Sequence, residues 1–253
     1  MKIGLVQFSP EWEKPEKNID KIENLLNNFK IDCDMLVFPE LTLTGFTMNV
    51  SEFAEDIDGT STKYFMNLSR RLKTNVFAGI IENSEEGIYN SLVHFENNGL
   101  IAARYRKIHP YTKADEDKYY KSSNELVITK VEQTRIGLSI CYDIRFPELY
   151  RFYSKSGIDI IINIANWPIP RIEHWRTLLK ARAIENQAFV IGVNRVGDDH
   201  SNSYNGSSSI FDPMGNEIIN AGNKEIIAVT EINLDAIRDV RSKLPFLKDI
   251  KLI

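Results

Sequence analysis

The stretch "RIGLSICYDIRFPELYRFYSKSGIDIIINIANW", residues 135–167, decides how the chain is built. Its two ends, "RIGLSI" and "IDIIINIA", are apolar at nearly every position and rich in β-branched residues, as in strands buried on both faces. Between them "PELYRFYSKSG" reads as a helix with Gly157 as its C-cap. A β-α-β unit of this kind predicts an α/β fold with layers on both sides of its sheet.

The pattern extends in both directions. Upstream, "KIGLVQF" (2–8) and "DMLVFPE" (34–40, stopped at Pro39) flank a helical stretch in which Ile19, Ile22, Leu25, Leu26 and Phe29 recur at three- and four-residue steps. Thr60 or Ser61 is expected to cap a second helix carrying Phe65, Leu68 and Leu72, followed by the strand "NVFAGII" (75–81). Strands "YNSLVHFE" and "LIAARYRK" are joined by Asn97-Asn98-Gly99, residues that tolerate a tight turn, so the sheet is mixed.

Downstream, a helix from about Arg171 to Gln187 leads into "FVIGVNRV". Hairpin-like strands are expected around "SSSIFDPMGNEII" and "EIIAVTEINLD", and a short helix ending near Leu244. With no Pro/Ser-rich linker to divide it, the chain reads as one domain over 1–253. Periodicity leaves open whether its sheet is single and doubly wound or split into two.

With 253 residues, 43% of them hydrophobic, there is enough apolar material for a large core. The 31 Lys and Arg against 35 Asp and Glu leave a net charge of −4, so no basic excess points to nucleic acid or an anionic membrane surface. Small-molecule partners remain open. Two cysteines are too few for a disulfide framework, and no apolar run approaches the ~20 residues of a membrane span. The opening "MKIGLVQFSPEWEK" lacks the pattern of a signal peptide, and a soluble cytoplasmic protein is expected.

Rigid strand ends are where α/β proteins place reacting groups. Glu40 follows "LVFP", Lys107 closes "LIAARYRK", and Cys141 follows "IGLSI". Taken singly they could be a loop carboxylate, a solvated lysine and a small core residue. Together they offer a thiol nucleophile, a carboxylate base and a cation, the ingredients of acyl transfer. Among His94, His109, His174 and His200, only His109, two residues past Lys107, competes as a Cys-His partner. No zinc motif, Walker loop or dinucleotide fingerprint is present, and neither metal nor nucleotide cofactor is expected.

The segments "LVFPELTLTGF", "YRKIHP" and "IGLSICYDIRFPE" resemble, in order and context, the Glu-Lys-Cys signature of the carbon-nitrogen hydrolase (nitrilase) superfamily. The similarity runs from "KIGLVQFSP" to about "EINLD". The resemblance implies a four-layer α-β-β-α sandwich of two mixed sheets, in protomers that associate as homodimers or larger oligomers through their outer helices. It also implies a second carboxylate after the lysine, which falls on Glu116.

Within the superfamily, "CYDIRFPELYR", "ANWPIPRIEHWRTLLKARAIENQAFVIGVNRVG" and "DPMGNEI" look most like the omega-amidases, which cleave the terminal amide of 2-oxo acid amides. N-carbamoyl-amino-acid hydrolases and aliphatic amidases are the neighbouring alternatives. On this reading the Tyr142 backbone N–H supports the oxyanion and Trp167 walls the pocket. Arg145, then Arg171 and Arg195, are the candidate partners of a substrate carboxylate, with surface salt bridges expected to claim at least one of the three. A catalytically silent binding or assembly subunit is the alternative of another class.

Overall fold

The structure, a computed structural model, describes residues 1–29 and 31–252. The first third runs β1 (Lys2–Gln7), α1 (Pro15–Asn27), β2 (Met35–Val37), α2 (Val50–Phe53), α3 (Thr60–Leu72), β3 (Asn75–Ser84) and β4 (Gly87–Phe95). The middle continues with β5 (Ile101–Arg106), α4 (Glu116–Tyr119), β6 (Ile128–Val131), β7 (Thr134–Ile140), α5 (Pro147–Lys155), β8 (Ile160–Ala165) and α6 (Ile172–Asn186). The last part is β9 (Phe189–Asn194), β10 (Val196–Asp198), β11 (Ser203–Asn205), β12 (Ser209–Phe211), β13 (Glu217–Asn220), β14 (Ile226–Glu231) and α7 (Asp235–Lys243).

Two six-stranded mixed sheets form, in the orders β14-β1-β2-β3-β4-β5 and β13-β12-β9-β8-β7-β6. The apolar runs explain the layering. Along β8, Ile160, Ile162 and Ile164 join Ile3, Leu5, Val37 and Phe77 of the other sheet in one cluster, while the alternate Ile161 packs with Leu149, Tyr153, Leu179 and Ala183 under α5 and α6. The first sheet is covered likewise, its Val6, Leu36 and Val76 meeting Ile22 and Leu26 of α1 and Phe65 and Leu68 of α3. Side chains of alternating direction thus bury both faces of each sheet. The order helix, sheet, sheet, helix is the expected four-layer sandwich, with two sheets rather than one.

Three local expectations are corrected. Gly59, not Thr60 or Ser61, is the N-cap of α3, and the Glu55 carboxylate accepts from Ser61 N–H at 2.7 Å and Ser61 Oγ at 2.8 Å. Phe29 lies beyond the end of α1. "SSSIFDPMGNEII" is the β12–β13 hairpin, but "EIIAVTEINLD" crosses to the other sheet, where β14 pairs antiparallel with β1 from Lys2↔Glu231 to Gln7↔Ile226. The expected β4–β5 hairpin forms with Gly99 at φ +87°. Among the described residues, no helix is long and apolar enough to cross a membrane.

Candidate active site

Glu40 lies three residues past β2, in a loop seated against β3. A Cβ on Gly79 would stand 2.4 Å from Leu41 N and 2.9 Å from Glu40 Cα, so only glycine lets the loop lie there. Thr42 fastens the contact, its N–H donating to Gly79 O at 2.9 Å and its Oγ1 accepting from Gly79 N–H at 3.1 Å. The carboxylate so placed is 1% exposed. Its Oε1 accepts from Lys107 Nζ and from Asn90 Nδ2, both at 2.8 Å, and its Oε2 from Asn166 N–H at 2.8 Å.

Lys107, the residue after β5, is 1% exposed and donates a second time to Glu116, at 2.9 Å to Oε2 and 3.0 Å to Oε1. Glu116 opens α4 and is fully buried; Tyr111 N–H donates to its Oε2 at 2.5 Å and Asn90 Nδ2 to its Oε1 at 2.9 Å. Asn90 therefore links the two carboxylates that share the ammonium. Cys141 follows β7 with φ +45° and opens a turn of 3₁₀-helix, Cys141–Arg145. That left-handed conformation costs a non-glycine residue about 1–2 kcal/mol, and here it sits where a strand turns a thiol toward a cavity.

The electrostatics follow from burial and from two carboxylates facing one ammonium. Burial, then the Glu40 carboxylate, pushes the Cys141 thiol well up, while Lys107 opposes them. Burial would lower Lys107, but Glu116 and Glu40 outweigh it and hold it well above its ordinary value. Glu116 is raised, by burial first and by Glu40 next, against the pull of Lys107. The resting group is therefore a protonated thiol beside a fixed cation, in need of a base. Cys33, also buried, is pushed up to about 12 by burial and then by Asp34 and Asp32.

A cavity of about 700 Å³ opens over Cys141 and Asn166, while Glu40, Lys107 and Glu116 lie behind its wall. Tyr142, Arg145, Trp167 and Arg171 line it, as do Lys113 and Tyr111. Arg145 lies 4.8 Å over the Trp167 ring and Arg171 5.8 Å over Tyr111, so both guanidiniums are backed by aromatic faces. Trp167 is fixed by its N–H donating to Asn194 Oδ1 at 2.7 Å and its Nε1–H to Arg171 O at 2.6 Å.

Arg195 is not among the lining residues. Its guanidinium is buried and donates to the carbonyls of Val196 and Asp198 at 3.2 and 2.9 Å, over the ring of Tyr204. This corrects its place among the substrate-binding candidates. Nor does His109 line the cavity: its Nδ1 is held by Asp143 at 2.7 Å and its ring stacks on Phe146 at 3.8 Å. His94 is buried between Thr129 and Asn75, 2.8 and 3.1 Å from its two ring nitrogens.

The sequence pattern does not single out Asn90, Asn166 or Asp143. Asn166 stands directly after β8, the kind of position that singles out Cys141, but a neutral amide brings no charge or nucleophile to make it conspicuous there. Asn90 carried only the weaker signal of a polar residue in an apolar strand. Among the described residues, no group of three or more His, Cys, Asp or Glu is placed to hold a metal ion.

The carbon-nitrogen hydrolase family model matches residues 2–242. A 2-oxoglutaramate amidase of Bacillus subtilis (strain 168) is 34% identical over 98% of this chain and 97% of its own length. The omega-amidase YafV of Escherichia coli (strain K12) is 33% identical over 98% and 96%. Among solved structures, XC1258 of Xanthomonas campestris, a CN-hydrolase superfamily protein with an arsenic adduct in its active site, superposes with a TM-score of 0.95 at 31% identity, covering 100% of this chain and 98% of that one. A chain matched along its whole length in sequence and fold belongs to the carbon-nitrogen hydrolase family, and it is an amidase of that family, a hydrolase of carbon–nitrogen bonds.

Proposed function

We propose that the protein is an omega-amidase that releases ammonia from the terminal amide of a small 2-oxo dicarboxylic acid monoamide such as 2-oxoglutaramate. The observation that carries this reading is the pairing of a cavity-facing thiol, backed by Glu40, Lys107 and Glu116, with two aromatic-backed arginines on the same cavity wall. A planar guanidinium suits the carboxylate at the far end of such a substrate.

In the proposed reaction Glu40 takes the Cys141 proton as the sulfur bonds to the amide carbon. Lys107 and the Tyr142 backbone N–H hold the oxyanion, and loss of one such donor typically costs ~100- to 1000-fold in rate. The carbon–nitrogen bond breaks as Glu40 returns the proton to the leaving nitrogen, and ammonia departs from a Cys141 thioester. Glu40 then deprotonates a water that opens the thioester, the thiol regains its proton, and the oxo diacid leaves. Glu116 keeps Lys107 oriented throughout.

The test is ammonia release from 2-oxoglutaramate compared with glutamine, a nitrile and N-carbamoyl-alanine, with mass spectrometry of the quenched enzyme. Preferred turnover of 2-oxoglutaramate with an acyl adduct on Cys141 is expected. Turnover of the carbamoyl compound alone would move the substrate assignment to that branch of the family. No turnover of any of them, with Cys141 no more reactive toward iodoacetamide than Cys33, would favour a silent binding subunit.

A further inference from the structure

One buried carboxylate next to the thiol takes no part in the reaction proposed above. Asp143 is fully buried and accepts four hydrogen bonds. Its Oδ1 accepts from His109 N–H at 3.0 Å and from His109 Nδ1 at 2.7 Å. Its Oδ2 accepts from the Tyr105 hydroxyl at 2.8 Å and from Ile140 N–H at 2.9 Å. The positions of these donors matter more than their number. Tyr105 and His109 stand two residues before and two residues after Lys107, and Ile140 immediately precedes Cys141. A single side chain therefore grips both the segment that carries the ammonium and the segment that carries the thiol.

The grip is reinforced. The His109 ring lies flat on Phe146, centroids 3.8 Å apart and planes within 8°, and Phe146 N–H donates to Asp143 O at 3.0 Å. From the far side Arg182 of α6 donates through Nε and Nη2 to Ile144 O, at 3.1 and 2.8 Å. Between these fastenings Cys141 holds its left-handed φ of +45°, which an unrestrained cysteine would leave.

We propose that Asp143 and His109 form a positioning pair that sets the distance and angle between Cys141 and Lys107. The idea rests on Cys141 and Lys107 acting as proposed above. It gives His109 a role without proton transfer: the acceptor oxygen of Asp143 requires the proton on Nδ1, and that bond holds the ring in place. The chemistry of Asp143 is also restricted. An asparagine would turn one oxygen into an NH₂ group, and on either side that group faces a backbone N–H, of His109 or of Ile140, which cannot reverse its bond.

The experiment compares Asp143→Asn, His109→Ala, His109→Asn and Tyr105→Phe with the unaltered protein. It reads kcat and KM for 2-oxoglutaramate, the rate of Cys141 alkylation by iodoacetamide, and the melting temperature. Asp143→Asn is expected to lower kcat about 100-fold with KM within about twofold, the signature of a misplaced reacting group. It should slow Cys141 alkylation as Lys107 loses its hold on the thiolate. His109→Ala is expected to cost about tenfold, and His109→Asn, which keeps a donor toward Asp143, to recover most of it.

Unchanged kcat and alkylation in Asp143→Asn would overturn the proposal. Should that variant fail to fold, Tyr105→Phe, which removes one donor and leaves the ring, decides: a loss of about threefold or more in kcat or alkylation supports the pair, and no change overturns it. If His109→Ala abolishes turnover and His109→Asn restores nothing, His109 carries a proton itself, and the pair and the role given to Glu40 fall together. If the unaltered protein ignores 2-oxoglutaramate, only the substrate reading fails, and the alkylation rates still decide the positioning pair.

Discussion

Arg106 and Lys107 are neighbours in the chain and lead to opposite kinds of buried acid. Arg106 meets Glu82, which is fully buried, at 2.6 Å; Arg104 reaches the same carboxylate at 2.9 Å and Ser91 Oγ donates to it at 2.7 Å. There two guanidiniums serve one buried carboxylate, Arg106 also reaches the exposed Glu86 at 2.7 Å, and the Arg104 side chain is 36% exposed, so charge is satisfied and water is within reach. On the other side one ammonium serves two carboxylates, no member is more than 1% exposed, and a thiol stands beside them. A closed ion cluster is a structural fastening, whereas one with an excess of acid next to a nucleophile and a cavity has a proton to move.

The sharpest way to break this contrast is to neutralise one acid on each side. Glu40→Gln is expected to lower kcat roughly 1000-fold, within the range of a lost general base. Glu82→Gln should leave kcat/KM within about threefold while lowering the unfolding free energy by about 2 kcal/mol. Steady-state ammonia release and urea denaturation measure both. Equal kinetic losses would erase the distinction between the clusters.

His94 sharpens the contrast from a third direction, as a buried titratable group with only neutral partners. Burial lowers it to about 4 from the ordinary 6.5. The unfolded chain therefore takes up the proton first, so the stability is fully present above about pH 6.5 and is lost as pH falls toward 4, by roughly 3 kcal/mol in all. Urea midpoints measured across that range should show the fall, and His94→Gln should flatten it. A fall of the same size in the variant would place the acid sensitivity elsewhere.

The smallest effect concerns the shared ammonium. Glu116 accepts from Lys107 through both oxygens, and burial raises its own carboxyl, as does Glu40, against the pull of Lys107. Glu116→Gln weakens the second hold on that ammonium and should lower kcat about tenfold with KM nearly unchanged, read as ammonia release. An unchanged kcat would mean that Glu40 alone keeps Lys107 in place.

The sequence exposed most of the frame because burial on both faces writes itself as uninterrupted apolar runs, which is why β7, β8 and β9 are plain at sight. Glu40, Lys107 and Cys141 stood out for a related reason: a charged or reactive residue ending such a run is conspicuous. Asn90, Asn166 and Asp143 were hidden because their importance lies in whom they touch. Asn90 and Glu116 are 26 residues apart, Asn166 and Glu40 126 apart, and no local pattern encodes such meetings. Arg195 is ambiguous in the sequence because position alone cannot tell an arginine facing a cavity from a buried one that donates to carbonyls. The crossing of β14 to the opposite sheet was illegible for the same reason, since its partner β1 lies more than 200 residues away.

That crossing shapes how the chain must assemble. Until residues 226–231 arrive, β1 has a neighbour on one side only, and its open edge is a template for unwanted pairing. The buried Gln7 at its end also waits for Lys224 O and Gly222 O, to which its Nε2 donates at 2.9 and 3.1 Å. β1 is thus completed by a strand more than 200 residues away, which makes the fold topologically slow and leaves a chain interrupted before residue 226 with an adhesive edge rather than a shortened enzyme.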